Sequence, residues 1–352
     1  PNTQIGKTFN AKITTEGQAV YTEGPAKETL TLLDLTENTD TPDFSKTSCL
    51  SECGESTVGI YKAEDDIGTS YYFRGDVENN YVYFAGYYFR IIRINGDGTI
   101  RMIYAGTSAH ENGYDDSSTK DTSIGTSEFN YSPHSDDMAD DNAYAGYMYG
   151  TVGSSTYEGT HANINNSLIK SKIDTWYNKN IKGTTNEQYV ADAIYCNDRE
   201  VSSGTGIGTT VTDYKAGERL YATNPTPSLK CNQVNDRFTK ETTVSGVAGN
   251  GALTYPIGLI TADEVAYAGG VIYKSDGSAN NSKYYLYTCN EFWTMAPNYF
   301  NQYYPTIYDV DSGGLIIASS SFIGRSVRPV ISIVGTALNS GNGTKTDPFK
   351  IQ

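Results

Sequence analysis

Charge is what this sequence has little of. Only 19% of its 352 residues are Asp, Glu, Lys or Arg, and the formal net charge is −15. No block of Lys or Arg occurs, so the electrostatic footprint that a phosphate backbone needs is missing, which argues against nucleic acid as a partner. The acidity reads as solubility. No apolar run approaches the ~20 residues of a membrane-spanning helix. The only histidines are His110, His134 and His161, none beside a Gly-flanked Ser or Cys at a strand end. GxSxG is also absent, so nucleophilic catalysis has no visible base and nucleophile. Gly204-Thr205-Gly206-Ile207-Gly208 lacks both the Lys-Ser/Thr ending of a phosphate loop and the dinucleotide spacing. A carboxylate pair for glycoside hydrolysis remains as the enzymatic alternative, because its two members can come from anywhere in the chain.

Tyrosine and glycine are abundant, at 30 and 35 residues. Aromatic rings therefore replace part of the usual aliphatic core, a profile that suits a β-rich extracellular protein. The chain starts at Pro1, and the expectation is an exported protein whose leader or anchor has been removed. Residues 1–57 read as an N-terminal arm and linker, with a weak strand pattern at 9–13 and a short helix at 28–35. Such an arm could add itself, through residues 1–20, to the sheet edge of another copy. An ordinary first strand folding back on its own domain explains the same pattern.

Residues 58–352 read as one β-rich domain. Its strongest strand signal runs from 60 to 104, where Asn95-Gly96-Asp97-Gly98 marks a hairpin because these residues accept positive φ. Arg90, Arg93 and Arg101 alternate with Ile91, Ile94 and Ile100, which predicts one wet face and one core face. Residues 106–165 form a polar excursion poor in core formers. Helices are expected at 166–177, capped by Asn166 or Ser167, and at 262–268, where Thr261 and Glu264 form a capping box before Gly269-Gly270.

Five cysteines are an odd number. In an exported chain the expected pairs are Cys49 with Cys53 and Cys196 with Cys231, leaving Cys289 over. A lone CxxxC beside three histidines makes a poor zinc site. Among cofactors only Ca²⁺ has candidate ligands, Asp136, Asp137, Asp140 and Asp141, and a solvated acidic loop without the EF-hand spacing explains them as well.

The display stretch is 284–333, YYLYTCNEFWTMAPNYFNQYYPTIYDVDSGGLIIASSSFIGRSVRPVISI. Strands at 315–318 and 327–333 carry its apolar residues. Before and between them lie Tyr299, Tyr303, Tyr304 and Tyr308 with Asn298, Asn301, Ser319, Ser320 and Ser321. Rigid amphipathic rings beside adaptable amides and hydroxyls have the composition of antibody paratopes. The candidate contact residues are Trp293, Tyr299, Tyr303, Tyr304, Tyr308, Asn298 and Asn301, with Arg328 structural, anchoring the last strand through backbone carbonyls. Filling a β-rich interior is the other use for such rings.

The segments GTSYYFRGDVENNYV at 68–82, FRIIRINGDGTIR at 89–101, YPIGLITADEVAYAG at 255–269, FWTMAP at 292–297 and VRPVI at 327–331 resemble a family of uncharacterised exported proteins of Gram-positive, often gut-dwelling, bacteria, many with prepilin-like leaders. The closing Trp-x-x-x-Pro and Val-Arg-Pro pattern is also similar to the end of formylglycine-generating-enzyme-like and C-type-lectin-like domains. The cysteine pair of copper-dependent oxidation and the Glu-Pro-Asn or Gln-Pro-Asp signature of calcium-dependent lectins are both missing. The resemblance implies an α+β fold, sheet-rich with a few short helices and lectin-like in its C-terminal half. It implies a non-catalytic cell-surface protein, an adhesin or the subunit of a pilus-like filament, whose partners are its own copies and a glycan or protein of a host or neighbouring cell.

Overall fold

The computed structural model describes residues 24–45, 58–131, 140–273 and 281–351. The fold is α+β and sheet-rich, 31% strand and 17% helix. Among the described residues ten strands form one sheet and eight a second.

The first sheet is built on the hairpin of Tyr87–Ile94 and Ile100–Gly106. Its turn closes as expected, with the Asn95 amide donating to the Thr99 carbonyl at 2.8 Å. Gly98 sits at φ +83°, and a Cβ there would lie 2.8 Å from the Pro25 carbonyl oxygen, so only glycine fits. Val330–Ile333 pairs with one flank of the hairpin and Tyr81–Phe84 with the other. Gly59–Glu64 and Thr69–Arg74 form a second hairpin attached to Tyr87–Ile94.

The expected wet face of this hairpin is covered. Arg90, Arg93 and Arg101 are 3%, 6% and 1% exposed. The covering element is the helix Ala262–Tyr267, which carries the predicted capping box: the Thr261 hydroxyl accepts from the Glu264 amide, and the Glu264 carboxylate from the Thr261 amide. The same carboxylate pairs with Arg93 at 3.0 Å and with Arg101 at 2.6 Å, while Asp65 takes the other side of Arg93 at 2.7 Å. Arg90 donates to Asn80, Asn112 and the Val77 carbonyl and lies 3.8 Å over the ring of Tyr81. A hairpin that alternates Arg and Ile is thus buried on both faces, because Arg93 and Arg101 are ion-paired and Arg90 is hydrogen-bonded to neutral acceptors.

The helix Leu168–Asn180 begins at the predicted cap Ser167 and buries Ile169, Ile173 and Tyr177. The helix Pro25–Leu32 sends Ala26 and Leu30 into the main core, and Thr29 donates to the Gly98 carbonyl. The described part of the predicted arm therefore packs on the domain, whereas its strand pattern at 9–13 and the assembly segment 1–20 lie outside the described residues. The polar excursion is ordered where described. Asp116 accepts from the amides of Asp121 and Thr122 and from the Thr122 hydroxyl; Ala143, Tyr144 and Tyr147 are buried. Side-chain to backbone hydrogen bonds do there what aliphatic packing does elsewhere.

Cys196 and Cys231 are bonded, with Cα atoms 5.7 Å apart, and Cys289 is free. Cys49 and Cys53 lie outside the described residues. Arg328 is anchored as predicted, donating to the carbonyls of Tyr104 and Leu286 under the ring of Phe292.

Candidate functional site

The second sheet carries the display stretch. Its centre is the hairpin of Phe292–Phe300 and Pro305–Val310, flanked by Leu315–Ser320 on one side and Thr212–Tyr214 on the other. The turn at 301–304 is set by one side chain, the Asn301 Oδ1, which accepts from the amides of both Tyr303 and Tyr304 at 3.0 Å. This Asx arrangement fixes the tip without a tight-turn glycine. Tyr304 packs edge-on against Phe322, centroids 5.1 Å apart. Tyr303 is left 61% exposed, and Ile323 in the neighbouring loop is also exposed.

The predicted contact residues separate into three groups. Asn301, Tyr303 and Tyr304 form the tip; Asn298 and Tyr299, both half-buried, line a cleft beside it. Trp293 and Tyr308 are 0% exposed, and their assignment as ligand contacts is corrected to core. Trp293 donates from its indole nitrogen to the Ser127 carbonyl at 2.9 Å and packs edge-on against Phe129. Tyr308 lies under the helix Lys215–Leu220, where a Cβ on Gly217 would come within 3.3 Å of its hydroxyl. Both strands of the hairpin are covered on both faces near its base, so alternation alone does not bring these rings to the surface. Ser319 is buried on Asp309, which Arg325 also holds at 2.9 Å. Ser321 is buried, and Ser320 half-buried.

The cleft, open to solvent, has a volume of about 430 Å³ between the helix Lys215–Leu220 and the strand Phe292–Phe300. Gly217 lies in its lining; Tyr221, Tyr299, Asp213, Glu218 and Asn298 surround it. Tyr221 is 48% exposed. Ser203 donates to Asp213 and Ser202 to Glu218, both at 2.5 Å, and Lys215 holds the second oxygen of Glu218 at 2.9 Å. The hydrogen bonds from Ser202 and then Lys215 keep the Glu218 carboxyl below its ordinary range. Tyr221, Asp213 and Glu218 carry no signal in the sequence: they are about eighty residues from the hairpin, and only the pairing of Thr212–Tyr214 with Phe292–Phe300 brings them to it.

A second concentration of charge is internal. Arg219 lies between Asp198 and Asp263, next to the Arg93, Arg101 and Glu264 group, around a cavity of only about 30 Å³. Burial pushes the Asp198 carboxyl up, Arg219 pulls it down and Asp263 pushes it up again, to about 6. This volume holds a water molecule and little more.

The remaining chemical candidates resolve into scaffold. Asp141 accepts from the amides of Ala143 and Gly153, Asp140 is exposed, and Asp136, Asp137 and His134 lie outside the described residues. Among the described residues no three His, Cys, Asp or Glu side chains gather as a metal would require. His110 pairs with Asp121 at 2.6 Å and stacks on Tyr114. His161 is buried against Arg199, with Nε2 2.9 Å from the Gly206 carbonyl oxygen; burial and then Arg199 hold its pKa well below the usual value. The glycine run at 204–208 is thus a brace for this histidine. Comparison of the chain with family models, with curated proteins and with solved structures returns no match, and geometry alone carries the functional argument.

Proposed function

We propose that this chain is a non-catalytic, exported surface protein that binds a partner through the tip and flank of the Phe292–Val310 hairpin, and that its C-terminal half is lectin-like. The observation that carries this is Tyr303, a largely exposed ring on a turn pinned by Asn301 and backed by Tyr304 on Phe322. A turn whose backbone is already held in place loses little freedom on binding, and a tyrosine on it adds contact area at low entropic cost. The Cys196–Cys231 bond supports an oxidising, extracellular setting. Glu218 is poorly suited to be a general acid, because that role needs a raised pKa and its carboxyl is held down.

The test is capture of intact cells, or of arrayed glycans and proteins, by the purified full chain and by a Tyr303→Ala/Tyr304→Ala variant. The variant is expected to fold normally and to lose capture; unchanged capture would remove the hairpin tip from the mechanism. Filaments assembled through residues 1–20 are the other surface role. In that case electron microscopy of native material shows fibres, and deletion of residues 1–20 abolishes them.

A further inference from the structure

We infer that the cleft beside the hairpin is a saccharide subsite that seats one pyranose ring between Tyr221 and Tyr299, an assignment that rests on the proposed binding role of this face. Its volume of about 430 Å³ falls within the ~300–1,000 Å³ of small-ligand clefts. The space exists because of a particular residue. Gly217 on the helix faces the sheet, and a Cβ there would stand 3.3 Å from the Tyr308 hydroxyl and 3.7 Å from Asn298 Oδ1. Any larger side chain would fill the floor. The Tyr308 hydroxyl lies beneath Gly217, fully buried and outside the cleft lining.

The polar lining selects the ligand class. Asp213 and Glu218 are exposed carboxylates, each anchored by one serine, and Asn298 adds an amide. Among the described residues one oxygen of Asp213 has no donor. Walls rich in acceptors match a ligand rich in hydroxyl donors and repel phosphates and carboxylates. The half-exposed face of Tyr221 offers an apolar surface of the kind that the C–H face of a sugar ring covers. A ligand amine would also satisfy the carboxylates, but Lys215 already occupies one oxygen of Glu218, so the lining favours neutral hydroxyls.

Saturation-transfer NMR on the full chain, with methyl glycosides of glucose, galactose, mannose and N-acetylglucosamine as probes, tests this assignment. At least one glycoside is expected to receive saturation, with affinity falling about tenfold, the equivalent of one lost ring contact, in Tyr221→Ala. Gly217→Val should abolish the signal by filling the floor. Tyr221 is exposed, so its variant keeps the fold, which covers the case in which Gly217→Val does not. Val334→Ala, at an exposed position just beyond the strand Val330–Ile333 of the first sheet, should leave glycoside binding intact. No transfer to any glycoside, or equal transfer from wild type and Tyr221→Ala, overturns the assignment, as does transfer to n-butylamine alone. If glycosides fail while cell capture still depends on Tyr303 and Tyr304, the hairpin reading stands and only the sugar subsite falls.

Discussion

Arg328 shows what a buried guanidinium does in this fold. It is 1% exposed and bonds the carbonyls of Tyr104 and Leu286, tying the strand Ile100–Gly106 and the segment around Leu286 to the entry of the strand Val330–Ile333. Arg328→Met keeps the volume but leaves both carbonyls without this donor, and urea unfolding should show a loss of about 2–4 kcal/mol. A change under about 0.5 kcal/mol, the range of neutral surface substitutions, would contradict the anchoring role. This role was legible in the sequence, because an Arg-Pro step entering an apolar strand has little else to do. Trp293 and Tyr308 were not legible: composition counts rings, but the layer that covers them comes from residues far away in the chain. Asp198 makes a pH prediction at the same scale. Its folded pKa, about 6, lies above the ~3.9 of an unfolded Asp. The stability that it contributes is therefore full below about pH 4 and is lost as pH rises through about 6. Melting temperature should decline across that window more steeply in the wild type than in Asp198→Asn. Identical pH profiles would refute the assignment. Asp309, which burial also raises to about 6, keeps part of the slope in the variant.

At the scale of elements, the helix Ala262–Tyr267 joins local and distant order. Its capping box was readable from Thr261 and Glu264, since the interaction spans three residues. The partners that make Glu264 a hub were not, because Arg93 and Arg101 are 171 and 163 residues away. The expected wet face of the Arg/Ile hairpin failed for the same reason: periodicity reports alternation, not what covers each side. Burial pushes the Glu264 carboxyl up, but Arg101 and Arg93 outweigh it and leave it below its usual range. Glu264→Gln should cost about 3–5 kcal/mol, since it leaves Arg101 buried without its carboxylate. Thr261→Ala, losing only the cap, should cost about 1 kcal/mol. Equal losses in denaturant titrations would mean that the ion network adds nothing beyond the cap. The candidate site divides in the same manner. The Asn/Tyr tip was visible because its bonds are local, while Tyr221, Asp213 and Gly217 reach the cleft only through the pairing of Thr212–Tyr214 with Phe292–Phe300.

For the whole molecule, the two sheets form a stiff framework around a largely continuous core, and the hairpin tip projects from it. The sheet-rich α+β class was readable from tyrosine, glycine and the strand runs; the topology was not, since neighbours such as Phe349–Ile351 and Tyr81–Phe84 pair across about three quarters of the chain. The proposed function makes a spatial claim, that partners are met at the tip of the second sheet and not elsewhere. Site-specific photocrosslinking tests this claim most directly, with a photoreactive residue placed either at Tyr303, 61% exposed, or at Val334, 40% exposed just beyond the strand Val330–Ile333 of the first sheet. On intact target cells the account predicts covalent capture from position 303 and none from 334. Capture from 334 alone, or equally from both, would contradict it.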